Sequence, residues 1–283
     1  MAIVVTAATG HLGRKVVEQL LARGVDPAGI LATARRPEGL ADLGERGVRT
    51  ARLDYDDVDP AVFSAGDVVL LVSGSEMGRR EAQHGNVVKA AAAAGVERIV
   101  YTSAPSATDT TLVLAPEHAA TERLIAESGL PSTIVRNGWY TENYLQTFEQ
   151  ARESGAVVAS AGDASVASAS RDDYAEAAAV VLTTEGHEGA VYELSGDEAW
   201  AYDDLAAAFG EALGREVAYR PVTPEEHREI LLGVGLDEGT AGFVVALDQN
   251  TAEGLLAVRT GDLSRLIGRP TTPMPVTVAS WAS

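Results

Sequence analysis

Thr6, Ala8, Thr9, Gly10, His11, Leu12 and Gly13 form a run of small residues with two glycines three apart. Such a run lets a backbone approach a pyrophosphate at Gly10 and a helix pack tightly at Gly13. The free N–H groups of the helix start then face the anion. The flanks agree, with Ile3, Val4 and Val5 reading as a buried strand and Leu12, Val16, Val17, Leu20 and Leu21 as the apolar stripe of a helix. An ordinary strand–turn–helix is the alternative. Arg35 stands at the end of the next strand, about 20 residues past the glycines, where a protein preferring NAD carries an acid for the ribose 2′-hydroxyl. No acid occurs there before Glu38. A guanidinium suits a 2′-phosphate through charge-assisted, bidentate hydrogen bonds, so NADPH is expected over NADH. Against this, Arg35 and Arg36 also read as solvated charges before a turn. Asp54, after the third strand, fits either the adenine amino group or a turn.

The elements needed to hold these residues are legible. Strands are expected at 3–6, 30–34, 48–53, 68–72, 99–103 and 133–136, with helices at 13–23, 60–65, 79–94 and 116–128 between them. Continuous apolar strands flanked by helices make an α/β, Rossmann-type doubly wound parallel sheet. Further on, a helix at 140–152, a strand at 156–159, a helix at 171–184 and a strand at 191–194 are expected. Helices at 202–213, 224–232, 239–246 and 262–267 then make a smaller, mostly helical C-terminal lobe. Residues 1–153 are read as an NADP-binding domain whose sheet 154–196 completes, and 197–283 as a lobe on the substrate side. Ligands of open parallel sheets lie beyond the carboxyl ends of the strands. Ser73, Gly74 and Ser75, then Tyr101, Thr102 and Ser103, then Asn137 are therefore expected around the cofactor's ribose and nicotinamide.

Composition excludes several classes. The 283 residues include no cysteine, which removes disulfides, thiol nucleophiles and cysteine-held metals. The five histidines are scattered without metal-binding spacing, and no metal is expected. A net charge of −19 disfavours nucleic acid and anionic membrane. Met1 leads directly into the first strand and no apolar run approaches the roughly 20 residues of a spanning helix, so the cytoplasm is the expected location.

Ala8 to Gly13, Arg-Arg-Pro at 35–37, Ser-Gly-Ser-Glu at 73–76, Tyr-Thr-Ser at 101–103 and Arg136 to Tyr144 together resemble the NmrA-like group of atypical short-chain dehydrogenases. Within it they are most similar to the flavin-free NADPH-dependent quinone oxidoreductases. The likeness continues through 169–175, 191–196 and 266–272, and so spans essentially the whole chain. One departure is Ala7, where such relatives carry glycine. Ala7 is expected to keep a negative φ and cofactor binding to survive.

The resemblance implies hydride chemistry, and the residues narrow it. Short-chain dehydrogenases that reduce unactivated ketones protonate a basic alkoxide with a Tyr-x-x-x-Lys pair. None of the eight tyrosines here has lysine four residues later, and lysine occurs only at Lys15 and Lys89. Where the pair would fall stand His118 and Glu122, spaced to share a helix face. A quinone yields a far less basic phenolate and needs mainly proximity to the nicotinamide, so the reading is direct two-electron reduction of a quinone by NADPH without flavin or metal. Tyr140 and Asn143, with Tyr144, are the candidate walls for a flat acceptor, with core packing between the lobes as the alternative. His118 is the candidate donor to its oxygen. Arg171 is carried either as a cofactor contact or as half of a helix-start ion pair. A non-catalytic NADP-binding redox sensor is the rival function, and a reductase or epimerase of another carbonyl a third. A homodimer is left open.

Overall fold

The computed structural model describes residues 1–282. Short apolar strands alternate with helices in the first half of the chain: β1 (Ile3–Val5), α1 (His11–Ala22), β2 (Ile30–Ala34), α2 (Ala41–Glu45), β3 (Arg49–Arg52), β4 (Val68–Leu71), α3 (Arg80–Ala94), β5 (Arg98–Ser103), α4 (Ala115–Glu127) and β6 (Ser132–Asn137). There follow α5 (Leu145–Ser154), β7 (Ala156–Ala159), β8 (Ser165–Val166), α6 (Arg171–Thr183), β9 (Val191–Leu194), β10 (Trp200–Ala201), α7 (Tyr202–Leu213) and β11 (Ala218–Pro221). The chain ends in α8 (Pro224–Gly233), α9 (Glu238–Ala252), α10 (Asp262–Ile267) and α11 (Met274–Ala279).

Seven strands form one sheet in the order β3-β2-β1-β4-β5-β6-β9. The pairs from β3 to β6 are all parallel, with Val5 opposite both Ala32 and Leu70, and Leu71 opposite Tyr101. β9 joins outside β6, where Ile134 N–H donates to the Ala190 carbonyl at 2.9 Å. Order reverses at β1, which places the switch point, and so the ligand crevice, beside the glycine loop. Two small sheets, β10 with β8 and β11 with β7, stand apart from it.

The chain resolves into two compact units. Unit 1 holds 1–108, 114–137 and 171–193, and unit 2 holds 109–113, 138–170 and 194–283. This departs from a boundary near 153: the chain leaves the sheet unit at Asn137 and re-enters it at Arg171. The reason is that α6 returns to pack on α1, with Lys15 bridging Asp172 at 2.8 Å. The core of unit 1 includes Val4, Leu31, Val69, Leu71, Val87, Ile99, Tyr101 and Ile134. Unit 2 has its own core, in which Phe148 meets Phe209 edge-on at 5.1 Å and Trp281 at 5.6 Å.

Most expected elements are present within two residues. The expected helix at 60–65 is a single 3-10 turn, Pro60–Val62, and 140–152 divides into a 3-10 turn, Thr141–Tyr144, and α5. α9 runs on to Ala252, six residues past its expected end.

Candidate active site

The glycine loop opens α1 with Gly10 as N-cap, with no capping side chain and no acid in the first turn. Helix geometry leaves the N–H groups of His11, Leu12 and Gly13 without acceptors inside the helix, so the site is electropositive. Gly13 cannot be replaced without movement, because a Cβ there would lie 2.6 Å from the Ala7 carbonyl oxygen, and one at Gly10 3.1 Å from the same atom. A pyrophosphate fits this cradle, since only bare backbone lets the helix start and the loop come so near one point. Thr9, Gly10 and His11 are exposed, while Ala8 and Leu12 are buried. Ala8 N–H donates to the Thr33 carbonyl at 2.8 Å.

Ala7 corrects an expectation. Its φ is +49°. The cause is local: the left-handed turn aims its carbonyl at the N–H of Gly10, 2.9 Å away, and closes the loop. For alanine this conformation costs on the order of 1 kcal/mol.

Thr6 is fully buried and its hydroxyl is spent within the protein. It accepts from Val72 N–H at 3.0 Å and contacts the Tyr55 hydroxyl. That phenol donates its own hydrogen to the Val72 carbonyl at 2.8 Å, so Thr6 is the donor between the two hydroxyls. Burial raises the Tyr55 pKa far above the usual tyrosine value. Thr6 and Tyr55 thus brace the ends of β1 and β4, and only the Thr6 backbone faces the loop. Asp54 behaves as a turn former, accepting from Asp56 N–H at 3.2 Å and pairing with Arg52 at 3.1 Å.

Arg35 lies at the carboxyl end of β2 with its side chain 67 % exposed, Nη1 3.0 Å from Glu76 Oε1. Glu76 belongs to the loop after β4, two strands away across β1, so this ion pair spans the mouth of the crevice. Glu76 also holds Arg79 and Gln83.

The Ser73–Ser75 loop is clamped. Ser73 N–H donates to Thr102 Oγ1 at 2.9 Å, Gly74 N–H to His84 Nε2 at 3.0 Å, and Arg80 Nε to the Gly74 carbonyl at 2.6 Å. Arg80 is nearly buried and pairs with Glu117 at 3.1 Å. His84 must carry its hydrogen on Nδ1, toward Thr121 Oγ1 at 2.9 Å. Burial and the Arg80 charge hold its pKa down at about 4. No local sequence signal marked Arg80, His84 and Glu117, because they meet only in the fold.

Two expected residues face inward. The Tyr101 ring is fully buried and its hydroxyl lies 2.8 Å from His118 Nδ1. His118 is 6 % exposed, and burial, with Arg80 and His84 nearby, lowers its pKa to about 3. His118 is therefore a core histidine bonded to a core phenol rather than an acid at a pocket wall, and Tyr101 offers the crevice no ring face. Glu122, one turn on, accepts from Ser103 Oγ at 2.6 Å and from Arg136 at 2.7 and 2.9 Å. Arg136 also bridges Glu193 at 2.8 Å, and these hydrogen bonds raise its pKa further. Asn137 is buried at the end of β6 and Arg171 begins α6.

In unit 2, Trp139, Asn143 and Tyr144 line a cavity of about 220 Å³ with Thr147, Tyr202 and Leu247. Asn143, a candidate wall for the acceptor, and Trp139 are both in this lining. Tyr140 is outside this lining and instead forms a bridge with Ala169. Among the described residues no helix is long and apolar enough to cross a membrane, and no group of three or more metal-ligating side chains occurs.

Comparison with known proteins agrees with this geometry. Residues 7–185 match the NAD(P)H-binding family. The chain is 42 % identical to quinone oxidoreductase 2 of Escherichia coli (strain K12), over 98 % of this chain and 97 % of that one. It is 29 % identical to an NmrA-like family domain-containing oxidoreductase of Aspergillus flavus, over 96 % and 92 % of the two chains. The crystal structure of the Escherichia coli NADPH-dependent quinone oxidoreductase complexed with NADPH superposes with a TM-score of 0.93 at 41 % identity, covering 99 % of this chain and all of that one. With a seven-stranded sheet, a glycine cradle at its switch point and these relatives, the chain belongs to the NAD(P)H-binding family.

Proposed function

We propose that this protein is an NADPH-dependent quinone reductase that acts in one two-electron step without flavin or metal. The observation that carries the reading is the state of His118 and Glu122. They occupy the helix positions where reduction of an unactivated ketone calls for a strong proton donor. One is tied to Tyr101, and the other to Arg136 and Ser103. An acceptor that forms a weakly basic phenolate does not need a donor of that strength at these helix positions. The relatives' activity supports the same class.

NADPH, when bound, supplies the hydride. The protein's part is positioning. The N–H groups of His11, Leu12 and Gly13 bind the pyrophosphate, Arg35 takes the 2′-phosphate once it leaves Glu76, and the clamped Ser73–Ser75 loop holds the nicotinamide half. Thr102 and Ser103 close β5 beside that loop, Asn137 ends β6, and Arg171 is kept as a cofactor contact at the start of α6. Asn143, with Tyr140 kept as a second candidate, orients the acceptor. A cytoplasmic location and a homodimer belong to the same proposal, to be checked by fractionation and light scattering.

Purified protein should oxidise NADPH, followed at 340 nm, with benzoquinone or a naphthoquinone and leave simple ketones untouched. Cofactor binding with no quinone-dependent change would make the protein a redox sensor instead. Rapid turnover of secondary alcohols would overturn the quinone reading altogether.

A further inference from the structure

His227 of α8 and Asp248 of α9 both face the unit 2 cavity, and nothing above uses them. They are 5 % and 7 % exposed. His227 Nδ1 lies 2.8 Å from Asp248 Oδ2, and the same oxygen receives Ser160 N–H at 2.6 Å and the Ser160 hydroxyl at 3.0 Å. An oxygen surrounded by donors is an acceptor, so the hydrogen on Nδ1 points to Asp248 and Nε2 is the nitrogen left for a ligand. A buried acid and imidazole are costly in a wall otherwise rich in apolar groups. Here Leu231, Leu236, Val244 and Leu247 supply that apolar side. A cavity of about 150 Å³ holds benzene, so about 220 Å³ holds a larger flat ring with an oxygen at its polar edge.

We propose that this cavity seats the acceptor's aromatic ring, and that His227, oriented by Asp248, hydrogen-bonds its oxygen and supplies the proton that completes its reduction. The proposal rests on the quinone-reductase reading. Once the acceptor has taken up hydride, one oxygen is left as a phenolate. The step starts with hydrogens on both ring nitrogens: the Nε2–H bond breaks, an O–H bond forms, and the electron pair stays on Nε2. The hydrogen on Nδ1 remains with Asp248, and water returns a proton to Nε2. The other titratable groups facing the ring are the phenols of Tyr144 and Tyr202, both made weaker acids than ordinary tyrosine by burial. Asp248 acts only through His227 and is a positioning residue.

Calorimetric titration of 2-methyl-1,4-naphthoquinone into cofactor-free protein tests the seat. Val244→Phe should weaken binding at least tenfold while NADPH binds as before. In turnover with the same quinone, His227→Gln should lower kcat about 100-fold, the usual scale of a general acid, with KM for NADPH unchanged. Asp248→Asn should lower kcat about tenfold. Melting curves report folding, and if His227→Gln fails to fold, Asp248→Asn and Val244→Phe carry the same tests. Wild-type turnover in both polar variants, or undiminished quinone binding by Val244→Phe, overturns the proposal. Wild-type protein that binds the quinone but never oxidises NADPH refutes quinone reduction instead, without touching the seat.

Discussion

In the proposed reading Arg35 decides coenzyme choice, and Glu76 is its competitor. In the absence of a 2′-phosphate its guanidinium pairs with Glu76. An exposed pair of this kind is worth at most about 1 kcal/mol, so the phosphate displaces Glu76 at modest cost. Arg35→Ala should raise KM for NADPH much more than for NADH, and Glu76→Gln should tighten NADPH severalfold. Steady-state kinetics with both coenzymes decide it, and equal effects on the two would remove Arg35 from selection. Ala7 is a second residue with a readable energy. Because its φ is +49°, Ala7→Gly should stabilise the protein by about 1 kcal/mol through relief of strain. Denaturant unfolding measures this, and no gain would mean that glycine's extra freedom in the unfolded chain cancels it. The turn at Gly10 to Gly13 and the place of Arg35 directly after β2 could be read because their spacing is local. Tyr101 on β5 and His118 on α4 were expected at the crevice and are buried, because sequence shows which face of a strand or helix a residue shares but not whether that face looks into the core or the crevice.

At the scale of elements, the loop after β4 depends on one neutral histidine. His84 accepts from Gly74 N–H only while Nε2 is unprotonated, and burial holds its pKa at about 4, below the usual histidine value of 6.5. The unfolded chain therefore binds more protons than the native one between those values. Stability is fully present above pH 6.5 and is lost as pH falls toward 4, by about 1.4 kcal/mol per pH unit for each such group. His118, with a pKa of about 3, adds in the same direction. Melting temperatures should fall from pH 7 to pH 4.5, and His84→Gln should flatten that dependence. An identical slope in the variant would dissociate His84 from acid sensitivity. Strands β1, β2, β4, β5 and β6 could be read within a residue or so because each is a continuous apolar run. β8, β10 and β11 could not, since strands of two to four residues exist only through their pairing partners. α9 runs past its expected end at 246 through the polar Asp248, Asn250 and Thr251. All three are buried there and bonded inward: Asp248 to Ser160, Asn250 to Val113 N–H, and Thr251 to the Leu247 carbonyl.

For the whole molecule, the order of the chain and the order of its units differ. The sequence showed an alternating first half, a helical remainder and a sheet completed from within 154–196, but not that 138–170 belongs to the other unit, because the return at 171 depends on α6 finding α1. One consequence can be measured. The pyrophosphate cradle, Arg35 and the clamped loop all belong to unit 1, whereas the His227 cavity belongs to unit 2. A ligand stabilises whatever conformation it binds, by about 2.7 kcal/mol at 100 times its Kd. NADPH alone should therefore slow hydrogen exchange first at the amides of the glycine loop and the Ser73–Ser75 loop. A naphthoquinone alone should protect amides of α8 and α9 around the cavity. Protection by NADPH confined to α8 and α9 would place the coenzyme in the wrong unit, and the argument from the glycine cradle would fall with it.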